Sequence, residues 1–158
     1  MDRRIAPPKD LEATLEKLVA SDTNPNPVFQ TKQKAMTFAA ALGLHRQKRT
    51  PIDRRAASTA IRFDVFESQM DDAFVNALAV TETGELNVLH SSRDDERAQI
   101  FEEYAHTGLL ELQALCFDSG RDAHEVVREL VEDARAEPLD EEDASGVDPG
   151  LLRGLLDR

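Results

Sequence analysis

Tryptophan is absent from this chain, tyrosine and cysteine occur once each, and aromatic residues make up 5% of its 158 positions. A single cysteine, Cys116, excludes an intramolecular disulfide. Its place in a periodic apolar segment reads as a small core residue. The scarcity of aromatic rings leaves Leu, Val, Ala and seven Phe to build the core. No run approaches the ~20 apolar residues of a membrane span. Met1 to Pro8 carries charge with no apolar run behind it, which is not a secretory signal. The expected location is the cytoplasm, with no membrane partner. Glycines are few and scattered, so there is no glycine-rich phosphate loop, and no G-x-S-x-G nucleophile motif occurs.

What is abundant is charge, and it is unevenly placed. The chain has 31 acidic and 19 Lys and Arg residues, a formal net charge of −12. Between Phe29 and Arg62 stand eight basic residues, Lys32, Lys34, Arg46, Lys48, Arg49, Arg54, Arg55 and Arg62, against one acid, Asp53. From Phe63 onward 25 acids face seven bases. A basic block in so acidic a chain meets an anionic partner or folds back on the chain's own acidic half. Arg outnumbers Lys fourteen to five. Dense carboxylates with abundant Arg suit a salt-rich cytoplasm, as in a halophile, where charge repulsion is screened; a GC-rich genome gives the same Arg bias.

The expected architecture is mainly α: a compact single-domain helical bundle with at most a short two-stranded β element. Residues 1–9 read as a flexible leader, 10–135 as the helical domain, and 136–158 as an acidic, largely disordered tail ending in a short apolar segment, Leu151 to Leu156. Asp10 is placed to cap a helix with Leu11, Leu15, Leu18 and Val19 on one face, which Ser21 to Pro27 breaks. Thr31 caps a second helix with the stripe Ala35, Phe38, Ala39 and Leu42, stopped at Gly43. Ile61 to Phe66 alternates like a strand. Ser68 with Asp71 resembles a capping box before a helix carrying Met70, Phe74, Ala77 and Leu78. Leu86 to Leu89 suggests a short strand. Ser92 caps the longest helix, Arg93 to about Phe117, and Asp122 with Glu125 opens a last one.

Glu103-x-x-His106 places a carboxylate and an imidazole on one helix face, a spacing that carboxylate-bridged metal bundles use in pairs. Only one such pair is present, and a solvated helix face fits as well. No catalytic residue, metal ligand or cofactor is selected by the sequence. The basic block is the one constellation above background. Six to ten phosphate contacts from it would make DNA binding steeply salt dependent. Aromatics for stacking on single strands are missing from 39–62, so duplex backbone contact is the nucleic-acid reading.

Phe29-x-Thr31, Phe38-Ala39-Ala40-x-Leu42-Gly43, Arg49-x-Pro51-Ile52, Asp64-Val65-Phe66, Asn76-x-Leu78-Ala79 and Ile100-Phe101-Glu102-Glu103-Tyr104-Ala105-x-x-Gly108-Leu109 together resemble the Dnd system-associated protein 4 family, associated with DNA phosphorothioation. The likeness spans about residues 28–118 and is most specific in the run Glu102-Glu103-Tyr104-Ala105-x-x-Gly108-Leu109, with Glu102, Glu103 and Tyr104 as the candidate family surface. The family often has Asn-Gly where this chain has His106-Thr107. The resemblance implies an accessory protein of DNA sulfur modification or the linked restriction and antiviral defence, with no catalytic residues to carry over. Three functions follow as expectations. One is a non-catalytic accessory protein touching duplex DNA, or a DNA-bound complex, through 32–62. A second is an adaptor binding a larger modification or restriction subunit through its acidic half or C-terminus. The third is a small metal-dependent enzyme using Glu103 and His106.

Overall fold

A computed structural model describes residues 3–137. It contains six α-helices among these residues: α1 Glu12–Leu18, α2 Lys32–His45, α3 Phe63–Ser68, α4 Asp72–Thr83, α5 Asp94–Leu112 and α6 Ala123–Ala136. No strand is present among the described residues, only isolated bridges such as Ile5 with Ile61 and Pro8 with Arg55. The mainly α expectation therefore holds. Contacts divide the chain into two compact units, Met1–Val127 and Arg128–Arg158, with the boundary inside α6. The expected acidic tail from residue 138 on, its apolar segment at 151–156, and the first two residues lie outside the described residues. No described helix is long and apolar enough to cross a membrane.

In the first unit α5 is the axis. Thirteen of its nineteen residues are buried, covering nearly the whole circumference of the helix. α2 packs along it most extensively and α4 next. The α2–α5 crossing is unusually close for a chemical reason. A Cβ added to Gly43 would stand 2.2 Å from the Tyr104 carbonyl oxygen, and one added to Gly108 would stand 1.9 Å from that of Ala39. The two glycines, each four residues from the carbonyl its partner glycine touches, let the backbones meet. Gly43 is therefore not the stop the sequence suggested. α2 runs through it to His45, and the left-handed turn residue beyond is Gln47, with φ 50°.

Several local expectations hold. Leu11, Leu15, Leu18 and Val19 are all buried, and Thr31 Oγ1 accepts from Lys34 N at 3.3 Å. Asp122 Oδ1 accepts from Glu125 N at 3.0 Å before α6. Cys116 is buried in a π-helical continuation of α5, Gln113–Asp118, where burial pushes its thiol pKa up. Others change. Phe63 and Phe66 stack at 5.9 Å on one face of α3, so the alternation of 61–66 resolves into a helix preceded by one bridge residue, Ile61. Burying two rings three residues apart outweighs a six-residue strand whose pairing among the described residues is limited to the Ile5–Ile61 bridge. Leu86–Leu89 is a 3₁₀ turn that buries Val88, not a strand. Ser68 closes α3 and donates to Val65 O rather than capping α4. Asp10 lies in a 3₁₀ turn and makes no side-chain cap. Within the expected flexible leader, Ile5 is fully buried and exchanges backbone bonds of 2.9 and 2.7 Å with Ile61.

Candidate functional site

The basic segment meets the Glu102-Glu103-Tyr104 cluster through two of its arginines, Arg49 and Arg55. The loop after α2 lies along α5 and is strapped to it. Thr50 N donates to Glu103 O, and the Thr50 and Thr107 hydroxyls bond at 2.7 Å. His106 Nδ1 lies 3.1 Å from Thr50 O and 3.0 Å from Pro51 O. Both partners are carbonyls, so Nδ1 carries the proton and donates.

This strap aims arginines at carboxylates. Arg49 Nη1 is 2.6 Å from Glu82 Oε1, and its Nη2 is 2.7 Å from Glu103 Oε2. Gln99 Nε2 donates to the other Glu103 oxygen at 2.7 Å. Glu102 is fully buried. One of its oxygens takes Arg55 Nε at 2.7 Å and Arg3 Nη2 at 2.9 Å, while the other accepts from Ala6 N at 2.8 Å. Arg46 grips Glu111 through two nitrogens, at 2.7 and 3.0 Å. Arg62 pairs with Asp64, and Lys32 lies 3.8 Å from Glu16. Lys34, Lys48 and Arg54 make no ion pair among the described residues. Five of the eight sequence-selected cations thus face carboxylates of their own chain. Sequence reasoning missed Arg3, Glu82 and Glu111. A lone acid in a helix turn and an arginine near a terminus give no local signal of a partner 65 or 99 residues away.

The expected Glu103 and His106 pair does not converge. Glu103 is taken up by Arg49 and Gln99, and His106 turns to the loop carbonyls. No group of three His, Cys, Asp or Glu side chains placed to hold a metal occurs among the described residues.

Tyr104 donates to Glu82 Oε2 at 2.5 Å. That hydroxyl and then Arg49 hold the Glu82 carboxyl below the usual carboxylate range. Burial, and then the Glu82 carboxylate, push the Tyr104 hydroxyl up to about 12. Because Tyr104 is the only tyrosine and there is no tryptophan, its ionisation can be read directly from near-ultraviolet absorbance. The expected midpoint is about 12, and a midpoint near the ordinary ~10 would show the Glu82 contact unformed. A folded-state value above the unfolded one means the tyrosine's contribution to stability is complete below about pH 10. It is lost as pH rises toward about 12, and Tyr104→Phe removes that alkaline loss.

The motif residues have structural tasks here. Phe29 packs on Phe38 at 5.3 Å, Asn76 accepts from Arg97 at 3.2 Å, and Gly43 and Gly108 make the crossing. No curated protein and no solved structure matches the chain. The family described as DNA sulphur modification system-associated protein 4 matches residues 4–148. That range takes in the N-terminal segment and much of the acidic tail, both beyond the 28–118 of the sequence resemblance. With that match over most of its length, the chain belongs to the DNA sulphur modification system-associated protein 4 family.

Proposed function

We infer that this protein is a non-catalytic accessory component of a DNA sulphur modification system, acting as an adaptor that binds the system's protein subunits. The observation that carries this reading is the pairing of Arg46, Arg49, Arg55, Arg62 and Lys32 with carboxylates of the same chain. A guanidinium already held by a carboxylate must break that pair to reach a phosphate. Lys34, Lys48 and Arg54 remain for duplex DNA. Three phosphate contacts give a salt slope of only about −3, against the six or more contacts that sustain tight non-specific binding. A net charge of −12 adds repulsion from the duplex. The same charge favours a basic protein surface, which steers an acidic partner and sets its on-rate.

The test uses the intact chain with the purified subunits of its own modification or restriction machinery. Association that survives nuclease treatment, with negligible duplex binding by the protein alone at physiological salt, is the expected result. The DNA-contact reading makes the opposite demand. It requires the isolated protein to bind duplex with a steep salt slope, and Lys34→Ala, Lys48→Ala and Arg54→Ala together to flatten it. Observing both would replace the adaptor with a DNA-contact protein.

A further inference from the structure

Beside the strap on α5 lies a cleft of about 370 Å³ lined by Lys9, Asp10, Asp53, Arg54 and His106. Its walls are fixed by backbone bonds. Lys9 N donates to Arg54 O and Ala56 N to Pro7 O, both at 2.9 Å, which hold the N-terminal segment against the loop. His106, 8% exposed, is oriented by its two bonds to the Thr50 and Pro51 carbonyls. With the proton of the neutral ring on Nδ1, the lone pair is at Nε2. That atom has no partner among the described residues, yet it is not sealed away, since the fully buried side-chain atoms without partners among those residues are Gln33 Nε2 and Arg97 Nε.

The charges around this imidazole are unusual for this molecule. Arg46, Arg49, Arg55 and Arg62 all hold carboxylates, but Arg54 holds none, although Asp53 and Asp10 line the same cleft and are themselves without an ion pair among the described residues. Lys9 is paired with Glu12. The cleft therefore presents a free cation and a second, paired one, two free carboxylates and an open imidazole acceptor, in a volume suited to a small molecule. A simple anion would meet the two aspartates, and a simple cation would meet Arg54 and Lys9. These side chains are not placed to hold a metal.

We propose that the cleft binds a small zwitterion of the α-amino-acid type. Its ammonium group is directed to Asp53 and His106 Nε2, and its carboxylate to Arg54 and Lys9. Such a ligand matches both signs of charge and donates to the open imidazole nitrogen. This is independent of the adaptor reading.

The test is nuclear magnetic resonance of the full chain, following the His106 ring nitrogens, which are identified by their loss in His106→Gln. Glycine and longer free L-amino acids are the probes. The expected result is a saturable shift at Nε2 with free amino acids. Binding should be about tenfold or more weaker in Arg54→Ala, the worth of one charge-assisted contact, and similarly weaker in Asp53→Asn. Both substitutions are at exposed positions and leave the fold intact. Glycinamide, lacking the carboxylate, and N-acetylglycine, lacking the ammonium, should bind poorly. No saturable shift with any amino acid would overturn the proposal. So would equal binding of N-acetylglycine or inorganic phosphate, since that marks an anion site.

Discussion

Gly108→Ala is expected to cost about 3 kcal/mol or more, and Gly108→Val to leave no folded protein. The sign makes this diagnostic. At an exposed helix interior, replacing Gly by Ala stabilises by about 0.5–1 kcal/mol, because the unfolded chain loses freedom and the helix gains propensity. Here the added methyl would sit 1.9 Å from the Ala39 carbonyl oxygen and 2.7 Å from the Ala39 Cα. Neither is the end of a flexible side chain, so relief requires α2 and α5 to part. That crossing joins the most extensively packed pair of helices, so separation loosens the layer beneath it. Gly43→Ala meets the Tyr104 carbonyl in the same way and should behave alike. Since total stabilities of domains are about 5–15 kcal/mol, either substitution consumes a large fraction. Chemical denaturation reads the effect. A neutral or stabilising result would mean that the two helices are not in backbone contact.

The second large effect is expected at Glu102. Its carboxylate is fully buried, with an arginine from each of two separate segments and one backbone amide directed at it. A buried charge is tolerable only when its partners are complete. Glu102→Ala removes the acceptor of all three donors at once. Arg3 and Arg55 are partly exposed, at 24% and 35% of their side chains, and can turn back to water. The Ala6 amide is buried and cannot. The expected loss is about 3 kcal/mol, at the low end for breaking a buried pair. Amide hydrogen exchange should show it first at Ile5, Ala6, Arg55 and Ala56, in the backbone that Glu102 ties to α5. Glu102→Gln keeps the shape and one acceptor, and should be milder.

The helices of this chain are readable where local chemistry decides them. The Thr31 cap, the apolar face of α1 and the Asp122 cap before α6 all involve residues within a few positions of one another. Expectations fail where a distant neighbour decides. Gly43 looks like a terminator until Tyr104 is known to lie on it. Ile61 to Phe66 looks like a strand until Phe101, edge-on to Phe66 at 5.5 Å, supplies the core that α3 packs into. The segment Leu86–Leu89 has the composition of a strand but no partner strand among the described residues. The candidate site follows the same rule. The excess of positive charge between 29 and 62 is visible in composition, and so is the alternative that it folds back on the acidic half. Which of these holds depends on pairings 33 to 65 residues apart, Arg49 with Glu82 and Glu103, Arg55 with Glu102, and Arg46 with Glu111. Charge counts do not contain that information. The family motif at Glu102, Glu103 and Tyr104 marks the position in sequence, and the structure supports a tie between loop and axis helix as its physical meaning.

The account rests on the arginines of the basic segment being committed to the fold's own carboxylates. A double-mutant cycle between Arg55 and Glu102, read by urea denaturation of the single and double alanine variants, tests this most directly. The account predicts a coupling energy of about 1–3 kcal/mol, as for contacting groups in one network. Additivity within about 0.5 kcal/mol would contradict it, and would return these arginines to the solvent and to any phosphate there.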